Sequence, residues 1–361
     1  MKIVFVITEL EPGGAERNLV KLALAFKHQG HDVEVISIAG RPTRTVLIDK
    51  LDQAVIPVHY LQIKRLWRGL TAISRLRKLL KRLQPDIVQS FLYHANLLTS
   101  LSIRENRTRH FTGFRVRDPR RLRYRILQRF SGRWAGGISV SADVERHVRP
   151  LVGLDSANSY VIPNGVDMNT IKSAANDVWP GDVNKTRELL VFIGRLDRQK
   201  GVDILLDAAT ELLLGNKERQ LLLIGDGPLR SRLEAKLSNS PVASQIQLLG
   251  YRSDALTLLS KAKALLFPSR WEGMPNVVME AMALGLPLIT TPVDGITELL
   301  GNDNEQIAIQ SEWPIAAKRL LELTEEELVR IGVRNRERIQ ASFTSQVTTE
   351  SYLEIYRNAL Q

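Results

Sequence analysis

The chain of 361 residues contains no cysteine. Disulfide frameworks and thiolate metal sites are therefore excluded, and a reducing compartment suits this composition. No stretch reaches the roughly 18 uninterrupted apolar residues that a membrane-spanning helix needs. The apolar run at the N-terminus, KIVFVI, is too short for a secretory signal peptide. These absences predict a cytoplasmic protein without a membrane span.

A dinucleotide-binding fingerprint is also missing. The loop after the first apolar run reads ELEPGGA and lacks G-x-G-x-x-G, which disfavours dinucleotide binding there. Gly13 and Gly14 would still allow a ligand to approach the backbone closely, although a tight turn explains the pair equally well.

Acidic residues are scarce in the first half of the chain. Residues 1–165 hold 28 Lys and Arg against 13 Asp and Glu, a net charge of +15, whereas the remainder holds 22 against 26, a net charge of −4. Such asymmetry indicates an anionic partner for the first half, such as a membrane surface, a pyrophosphate carrier or nucleic acid.

Hydrophobic periodicity predicts two α/β domains, for which the length is sufficient. Lys2 to Thr8 and His31 to Ile38 have strand patterns and flank an amphipathic helix from Ala15 to His28, which is a Rossmann-like opening. The second domain opens with a buried strand from Leu189, which runs into a loop that contains Arg195 and Lys200.

The stretch Ala264 to Thr291 reads as strand, loop, helix and strand. Asn276 is a suitable N-cap for the helix, and backbone N–H groups at its N-terminus would favour a phosphate. Two carboxylates frame the loop: Glu272 within it, and Glu280 in the second helical turn, where it can accept hydrogen bonds from a ribose diol. An ordinary crossover with two solvated glutamates has the same spacing.

The segment SRWEGMPNVVME, residues 269–280, resembles the Glu-x7-Glu motif of family-4 glycosyltransferases. The resemblance implies a retaining, sugar-nucleotide-dependent enzyme of the GT-B fold, with two Rossmann-like domains facing across a cleft and a final helix crossing back to the first domain. The corresponding boundaries are 1–168 for the acceptor domain, 169–188 for a linker, 189–342 for the nucleotide-sugar domain and 343–361 for the final helix.

The same resemblance assigns the donor site. Arg195 and Lys200 would bind the diphosphate, Glu280 the ribose, and Glu272 would lie near the donor sugar. The remaining substrate-binding candidates are the loop and helix start, Gly273, Met274, Pro275, Asn276 and Val277, together with Tyr251 and Arg252 near the base.

In this family the leaving phosphate is thought to take the acceptor proton, so no protein base is expected, although a double displacement stays open. No Asp-x-Asp occurs, in agreement with a reaction that needs no metal and no cofactor beyond the nucleoside-diphosphate sugar.

The first domain supplies weaker candidates. His94 and Asn96 follow the strand Pro85 to Ser90, and the carboxyl ends of strands are where open α/β sheets bind ligands. In the family, a histidine or another polar residue at the position of His94 faces the transferred sugar. A Gly-Gly pair in the first loop, where this chain has Gly13 and Gly14, lies at the donor phosphates and the acceptor pocket.

Two basic stretches point to a membrane. One spans Lys64 to Arg82 and includes Lys64, Arg65 and Arg68, and the other spans Arg115 to Arg133 and holds eight arginines. Cationic amphipathic segments bind anionic lipid surfaces, although a solvated cationic face is an equally ordinary explanation for the first stretch.

The expected acceptor is a lipid-linked or polysaccharide hydroxyl in bacterial cell-surface glycan synthesis. The enzyme is expected to be peripheral on the inner face of the plasma membrane.

Alternative functions remain at this stage. A sugar-nucleotide epimerase could use the same fold, because fold does not determine function. A basic protein that binds membranes or nucleic acid without catalysis is also compatible with the charge, but no nucleic-acid motif accompanies the arginines, and specific nucleic-acid binding is not expected.

Overall fold

The computed structural model describes residues 1–63, 69–103, 107–301 and 304–361. The chain divides into two compact units, one formed by Met1–Gly165 with Ser345–Gln361 and the other by Val166–Thr344. Within the described residues, no helix is long and apolar enough to cross a membrane.

The first unit contains a seven-stranded parallel sheet in the order β3-β2-β1-β4-β5-β6-β7. Its strands are β1 (Lys2–Ile7), β2 (Asp32–Ser37), β3 (Val58–Tyr60), β4 (Ile87–Phe91), β5 (Arg109–Phe114), β6 (Gly136–Ser139) and β7 (Ser159–Val161). The helices of the unit are α1 (Gly14–His28), α2 (Val46–Gln53), α3 (Gly69–Leu83), α4 (Tyr93–Ser102), α5 (Arg121–Gln128) and α6 (Ala142–Val152), followed at the C-terminus by α15 (Ser345–Leu360).

The second unit contains a five-stranded parallel sheet in the order β10-β9-β8-β11-β12. Its strands are β8 (Glu188–Ile193), β9 (Arg219–Ile224), β10 (Ile246–Gly250), β11 (Ala264–Phe267) and β12 (Leu288–Thr290). Its helices are α7 (Met168–Asn176), α8 (Val202–Leu213), α9 (Arg230–Leu237), α10 (Ala255–Ser260), α11 (Asn276–Leu284), α12 (Ile296–Leu300), α13 (Trp313–Glu322) and α14 (Glu325–Ser342).

Strands β1, β8 and β11 are nearly continuous apolar runs, as expected for parallel strands that are buried on both faces. Helix α15 completes the core of the first unit: the Tyr356 ring lies 5.9 Å from that of Phe26 and 5.1 Å from that of Phe111. The Tyr356 hydroxyl donates to Gln89 Oε1 at 2.9 Å, which satisfies a buried polar group on β4.

The segment expected to be a linker, 169–188, is partly helical. Helix α7 occupies its first half and buries Ile171 and Ala174. Ser260 donates to the carbonyl of Ala174 at 3.2 Å, and Thr257 donates to Asp177 at 3.1 Å, so this helix packs on α10 of the second unit. The polar composition of the segment belongs to the exposed face of α7.

Candidate functional site

Several candidate residues lie at the carboxyl ends of strands where the strand order reverses. In the second unit the reversal falls between β8 and β11, and the loops after these strands carry Lys200 and Glu272. In the first unit it falls between β1 and β4, which precede Gly13 and His94. Such switch points open a crevice for ligands, because the crossovers leave in opposite directions.

Lys200 and Glu272 form the centre of the site in the second unit. Lys200 Nζ lies 2.6 Å from Glu272 Oε1, and Ser269 Oγ donates to the same oxygen at 2.7 Å. Glu272 is 8% exposed, so the pair is largely withdrawn from solvent. The Lys200 ammonium also lies 5.5 Å from the centre of the Phe267 ring. A lysine held between a carboxylate and an aromatic face is a fixed cation at the mouth of the sheet.

Further contacts join the two loops. Arg270 donates to both carboxylate oxygens of Asp203, at 2.7 and 2.9 Å. The Arg270 amide donates to the carbonyl of Gln199 at 2.7 Å, and the Gln199 side chain donates to the carbonyl of Trp271 at 3.0 Å. A motif search does not find this clamp, because its partners lie 67 and 72 positions apart in the sequence.

Gly201 shows how closely the loops approach each other. Its φ is +66°, and a Cβ there would lie 1.9 Å from the Pro268 carbonyl oxygen. Only glycine fits both the left-handed backbone and the contact. In the sequence Lys200-Gly201, the cation is therefore followed directly by the glycine that contacts the Pro268 carbonyl.

Arg195, the second predicted cation, is mostly open to solvent. Its side chain is 70% exposed and Nε lies 3.5 Å from Asp197 Oδ2. Asp197 in turn accepts the backbone N–H of Lys200 at 3.1 Å. The sequence prediction missed Asp197, which orders the loop between the two cations.

The start of α11 differs from the prediction at one residue. The helix begins with Asn276 as its first residue, and Pro275 occupies the N-cap position, so the prediction that Asn276 caps the helix is wrong. Met274 and Val277 are buried, and the Gly273 carbonyl faces Gly295, where a Cβ would approach within 2.7 Å. Any ligand contact from residues 273–275 therefore falls mainly to the backbone.

Glu280 lies in the second turn of α11 and is half-buried. The turn expected near the base contains Tyr251, which is 36% exposed, and Arg252. Arg252 donates to Asp254 at 2.7 and 2.6 Å and also pairs with Asp182. The hydrogen bonds that Arg252 donates to the carboxylates of Asp254 and Asp182 raise its pKa further, and its charge is neutralised within the protein.

In the first unit, the Gly13–Gly14 loop faces a residue that the sequence analysis missed. A Cβ on Gly13 would lie 2.3 Å from Glu16 Oε2, so the carboxyl group of Glu16 occupies the space beside this glycine. Glu16 is 8% exposed. Burial raises its pKa from 4.5 to about 7, against a smaller lowering by its own backbone N–H.

A strained turn positions His94. Leu92 has φ +72° and ψ 158°, a conformation that only glycine adopts without strain. This turn ends β4 and starts α4 within two residues, so His94 falls in the first helical turn. Burial lowers the pKa of His94, and the guanidinium groups of Arg123 and Arg120 lower it further, so the neutral imidazole is favoured.

Comparisons with known proteins agree with this architecture. A model described as "Glycosyltransferase Family 4" matches residues 12–170, and one described as "Glycosyl transferases group 1" matches residues 187–326. The chain belongs to the family-4 glycosyltransferases. The crystal structure of HepE from Anabaena in complex with UDP superposes with a TM-score of 0.83 at 18% identity, covering 99% of this chain and 100% of that one, which shows the GT-B fold.

Two curated relatives cover most of the glycosyltransferase. A UDP-Gal:α-D-GlcNAc-diphosphoundecaprenol α-1,3-galactosyltransferase from Escherichia coli is 25% identical over 98% of this chain and 97% of its own length. A GalNAc-α-(1→4)-GalNAc-α-(1→3)-diNAcBac-PP-undecaprenol α-1,4-N-acetyl-D-galactosaminyltransferase from Campylobacter jejuni is 28% identical over 90% of this chain and 88% of its own.

The side chain of Asn96 is buried and hydrogen-bonded within the first unit of this glycosyltransferase. It is 1% exposed, accepts from Ser90 Oγ at 2.7 Å and donates to the Gly113 carbonyl at 3.0 Å. Ser90 Oγ also lies 2.9 Å from His110 Nε2. The prediction that Asn96 binds substrate is corrected: its side chain points inward and ties β4 to β5.

The arginine-rich stretch does not form one continuous basic helix. Only Arg121–Gln128 is α-helical, a short 3-10 turn follows at Ser131–Arg133, and Arg115 turns inward to donate to Asn164. Arg123 pairs with Asp118, and its guanidinium lies 4.6 Å from the centre of the Tyr93 ring. The remaining arginines of α5, in contrast, include exposed side chains at positions 121 and 125.

The other basic stretch is only partly described. Lys64, Arg65 and Arg68 lie outside the described residues. Arg77 donates to the carbonyl of Leu101 at 2.9 Å, which caps the end of α4. Among the described residues, no group of three or more His, Asp or Glu side chains could hold a metal ion, and metal independence stays a prediction.

Proposed function

We propose that this glycosyltransferase moves a hexose from a nucleoside-diphosphate hexose to a hydroxyl of a lipid-linked or polysaccharide acceptor, with retention at the anomeric carbon. The observation that carries the proposal is the Lys200–Glu272 pair at the switch point of the second unit. A fixed cation next to a carboxylate suits a substrate that carries a diphosphate beside a sugar.

The donor's leaving group gains negative charge as the glycosidic bond breaks. Lys200 and Arg195 would stabilise this charge, together with main-chain N–H groups at the start of α11. Because Lys200 is already ordered by Glu272 and Phe267, little reorganisation is required when the charge develops. The protein groups would act without a metal ion.

Two carboxylates receive different parts of the donor. Glu280, half-buried on α11, would accept hydrogen bonds from the ribose hydroxyls. Glu272 would lie near the hydroxyls of the transferred hexose, and the leaving phosphate would take the acceptor proton. UDP is the favoured nucleotide, because HepE binds UDP and UDP-glucose and the E. coli relative uses UDP-Gal.

The acceptor proposal rests on the relatives and the charge. The E. coli and C. jejuni relatives are named for acceptors linked to undecaprenol through diphosphate. The excess of arginine and lysine in residues 1–165 suits an anionic lipid at the inner face of the plasma membrane, where the enzyme would be peripheral. Bacterial cell-surface glycan synthesis is the corresponding process.

A thermal-shift screen tests donor binding. The panel contains UDP-glucose, UDP-galactose, UDP-GlcNAc, UDP-GalNAc and GDP-mannose. A ligand at 100 times its Kd stabilises the protein by about 2.7 kcal/mol, so the true donor should be distinguishable. Lys200→Met should lose most of that stabilisation, whereas Lys236→Met, which removes an exposed lysine paired with Asp207, should keep it.

Two results would overturn the proposal. One is a panel in which no donor stabilises the wild-type protein, and the other is an equal shift in Lys200→Met and Lys236→Met. Retention is tested separately by NMR of the transferred sugar. An α-linked donor should yield an α-linked product, and a β-linked product would contradict the assigned stereochemistry.

A further inference from the structure

A groove runs between α4 and α5 on the first unit and encloses about 720 Å³. Its lining is mainly apolar and comes from Leu97, Leu101, Leu122, Ile126 and Phe130. Arg125 and Arg129 complete the rim. Apolar side chains gathered in an open groove indicate a ligand or partner that covers them.

The packing of α5 explains why the groove is open. Tyr124 and Leu127 are buried, and the Tyr124 ring lies 5.8 Å from that of His147 on α6. Leu122 and Ile126 lie on the opposite side of this helix, and Leu122 is 67% exposed. The helix thus has one apolar face against α6 and a second that faces the groove.

The other wall is fixed. Trp134 Nε1 donates to Ser100 Oγ at 2.9 Å, and Arg77 caps the carbonyl of Leu101 at 2.9 Å. Both contacts tie α4 to segments other than α5, namely Trp134 and helix α3. The groove is therefore a built feature of the unit.

The positive charge beside the groove favours an apolar ligand that carries an anionic group. The α5 sequence, RLRYRILQ, contains three arginines and no acidic residue, and Arg129 follows one residue after it. Leu97 and Leu101 follow His94 by three and seven positions, which places all three on one side of α4. The groove therefore extends from the switch point along a rim of arginines.

We propose that the groove binds the first isoprene units of a polyprenyl phosphate, with the phosphate held by Arg125 and Arg129. The chain would lie between α4 and α5 as a single bound lipid. This inference rests on the proposed function and adds a binding site for the acceptor's lipid.

The test measures binding of a fluorescent farnesyl phosphate to the full chain in the absence of membranes. Leu101→Trp fills the groove without changing charge and should weaken binding by at least about tenfold, because each methylene kept in water costs up to about fourfold in affinity. Leu214→Trp, at an exposed leucine of the second unit, should bind like the wild type.

Competition separates the chain from the phosphate. Unlabelled farnesyl phosphate should displace the fluorescent ligand at lower concentration than geranyl phosphate, and inorganic phosphate should displace it poorly. Arg125→Gln with Arg129→Gln should weaken binding and reduce its dependence on salt. Farnesol should then bind the double variant and the wild type equally.

Several outcomes would overturn the inference. Equal affinity of the wild type and Leu101→Trp for farnesyl phosphate would show that the ligand does not bind in the groove. Displacement by inorganic phosphate as effective as by farnesyl phosphate would reduce the site to surface charge. Binding only to vesicles of equal phosphatidylglycerol and phosphatidylcholine would indicate adsorption to a surface, and a monomeric mass in Leu101→Trp with a dimeric wild type would indicate that a second copy covers the groove.

The donor screen on the same variants distinguishes this inference from the proposed function. If Leu101→Trp keeps the wild-type donor stabilisation and loses farnesyl phosphate binding, both stand, and the variant is shown to be folded. If the donor stabilises neither protein while farnesyl phosphate binds only the wild type, the donor assignment fails and the lipid groove remains.

Discussion

Arg270 and Asp203 form a bidentate ion pair between the loop after β11 and the first turn of α8. Burial raises the pKa of Asp203, but the hydrogen bonds from Arg270 more than offset this, and the pKa is lowered overall. The ion pair lies on the two segments that hold the Lys200–Glu272 pair. The spacing of that pair thus depends on an arginine outside it.

Arg270→Lys should therefore reduce transfer more than stability. Lysine retains the charge but not the planar fork, so the loops lose a defined separation. Because both side chains are partly exposed, we expect a stability loss below about 1 kcal/mol, measured by urea unfolding. Misplacement of the donor should lower kcat/KM by about tenfold or more. Arg230→Lys, on the exposed pair with Glu234, is the control, and equal activity losses would contradict the prediction.

Gly201 tests the close approach of the same loops. Alanine there meets both a positive φ and the Pro268 carbonyl, so Gly201→Ala should destabilise by at least about 2 kcal/mol. Gly215 has φ +87° with open space around it, and Gly215→Ala should cost about 1 kcal/mol from backbone strain alone. Thermal unfolding gives both values. If the two variants were equally stable, the contact with Pro268 would have no energetic weight.

The proximity of the candidate residues in the second unit could be predicted largely from the sequence because these residues lie within short motifs. Lys200 and Glu272 belong to separate motifs, but each motif ends a buried strand, and parallel strands bring their carboxyl ends to one edge. Asn276 was misplaced by one residue as a cap, since proline can also precede a helix. The clamp through Arg270 was missed because a surface arginine has no pattern of its own.

The candidate residues of the first unit were harder to predict because the sequence does not show which way a single polar side chain points. His94 and Asn96 are two positions apart, and a two-residue shift on a helix turns a side chain to another face. Only His94 remains partly exposed, while Asn96 points into the sheet. Glu16 could have been flagged by the adjacent glycines, which leave room for a buried carboxyl group beside Gly13.

His94→Ala should impair transfer while leaving donor binding intact. Its imidazole lies at the switch point of the first unit, and the cations that we propose bind the donor lie in the second. We expect kcat with acceptor to fall by about a hundredfold, in the range for a positioned polar group, with an unchanged donor thermal shift. Loss of the donor shift would instead assign His94 to donor binding.

Asn96→Ala is the counterpart of that experiment. Removal of this amide takes the side-chain donor from the Gly113 carbonyl and one acceptor from Ser90, so unfolding should become easier by about 1–3 kcal/mol. Activity per folded molecule should stay within about threefold of wild type, well short of the loss expected for His94→Ala. A selective loss of activity without destabilisation would restore Asn96 as a binding residue.

Glu16 predicts a dependence of stability on pH. Its folded-state pKa of about 7 lies above the ordinary value of 4.5, because burial disfavours the charged form. The folded protein therefore holds a proton that the unfolded chain releases between these values. Relative to Glu16→Gln, the wild type should lose stability as pH rises from about 4.5 to 7, by up to about 3 kcal/mol, and then stay level.

Urea unfolding of both proteins at pH 5 and pH 8 measures this difference. Glutamine keeps the size of the side chain and cannot ionise, so Glu16→Gln should be the more stable protein at pH 8 and nearly equal to the wild type at pH 5. Glu211→Gln, at an exposed position of α8, controls for the loss of one carboxylate. A stability gap of the same size at both pH values would mean that Glu16 is already ionised at pH 5, and that solvent or a cation reaches the carboxyl group beside Gly13.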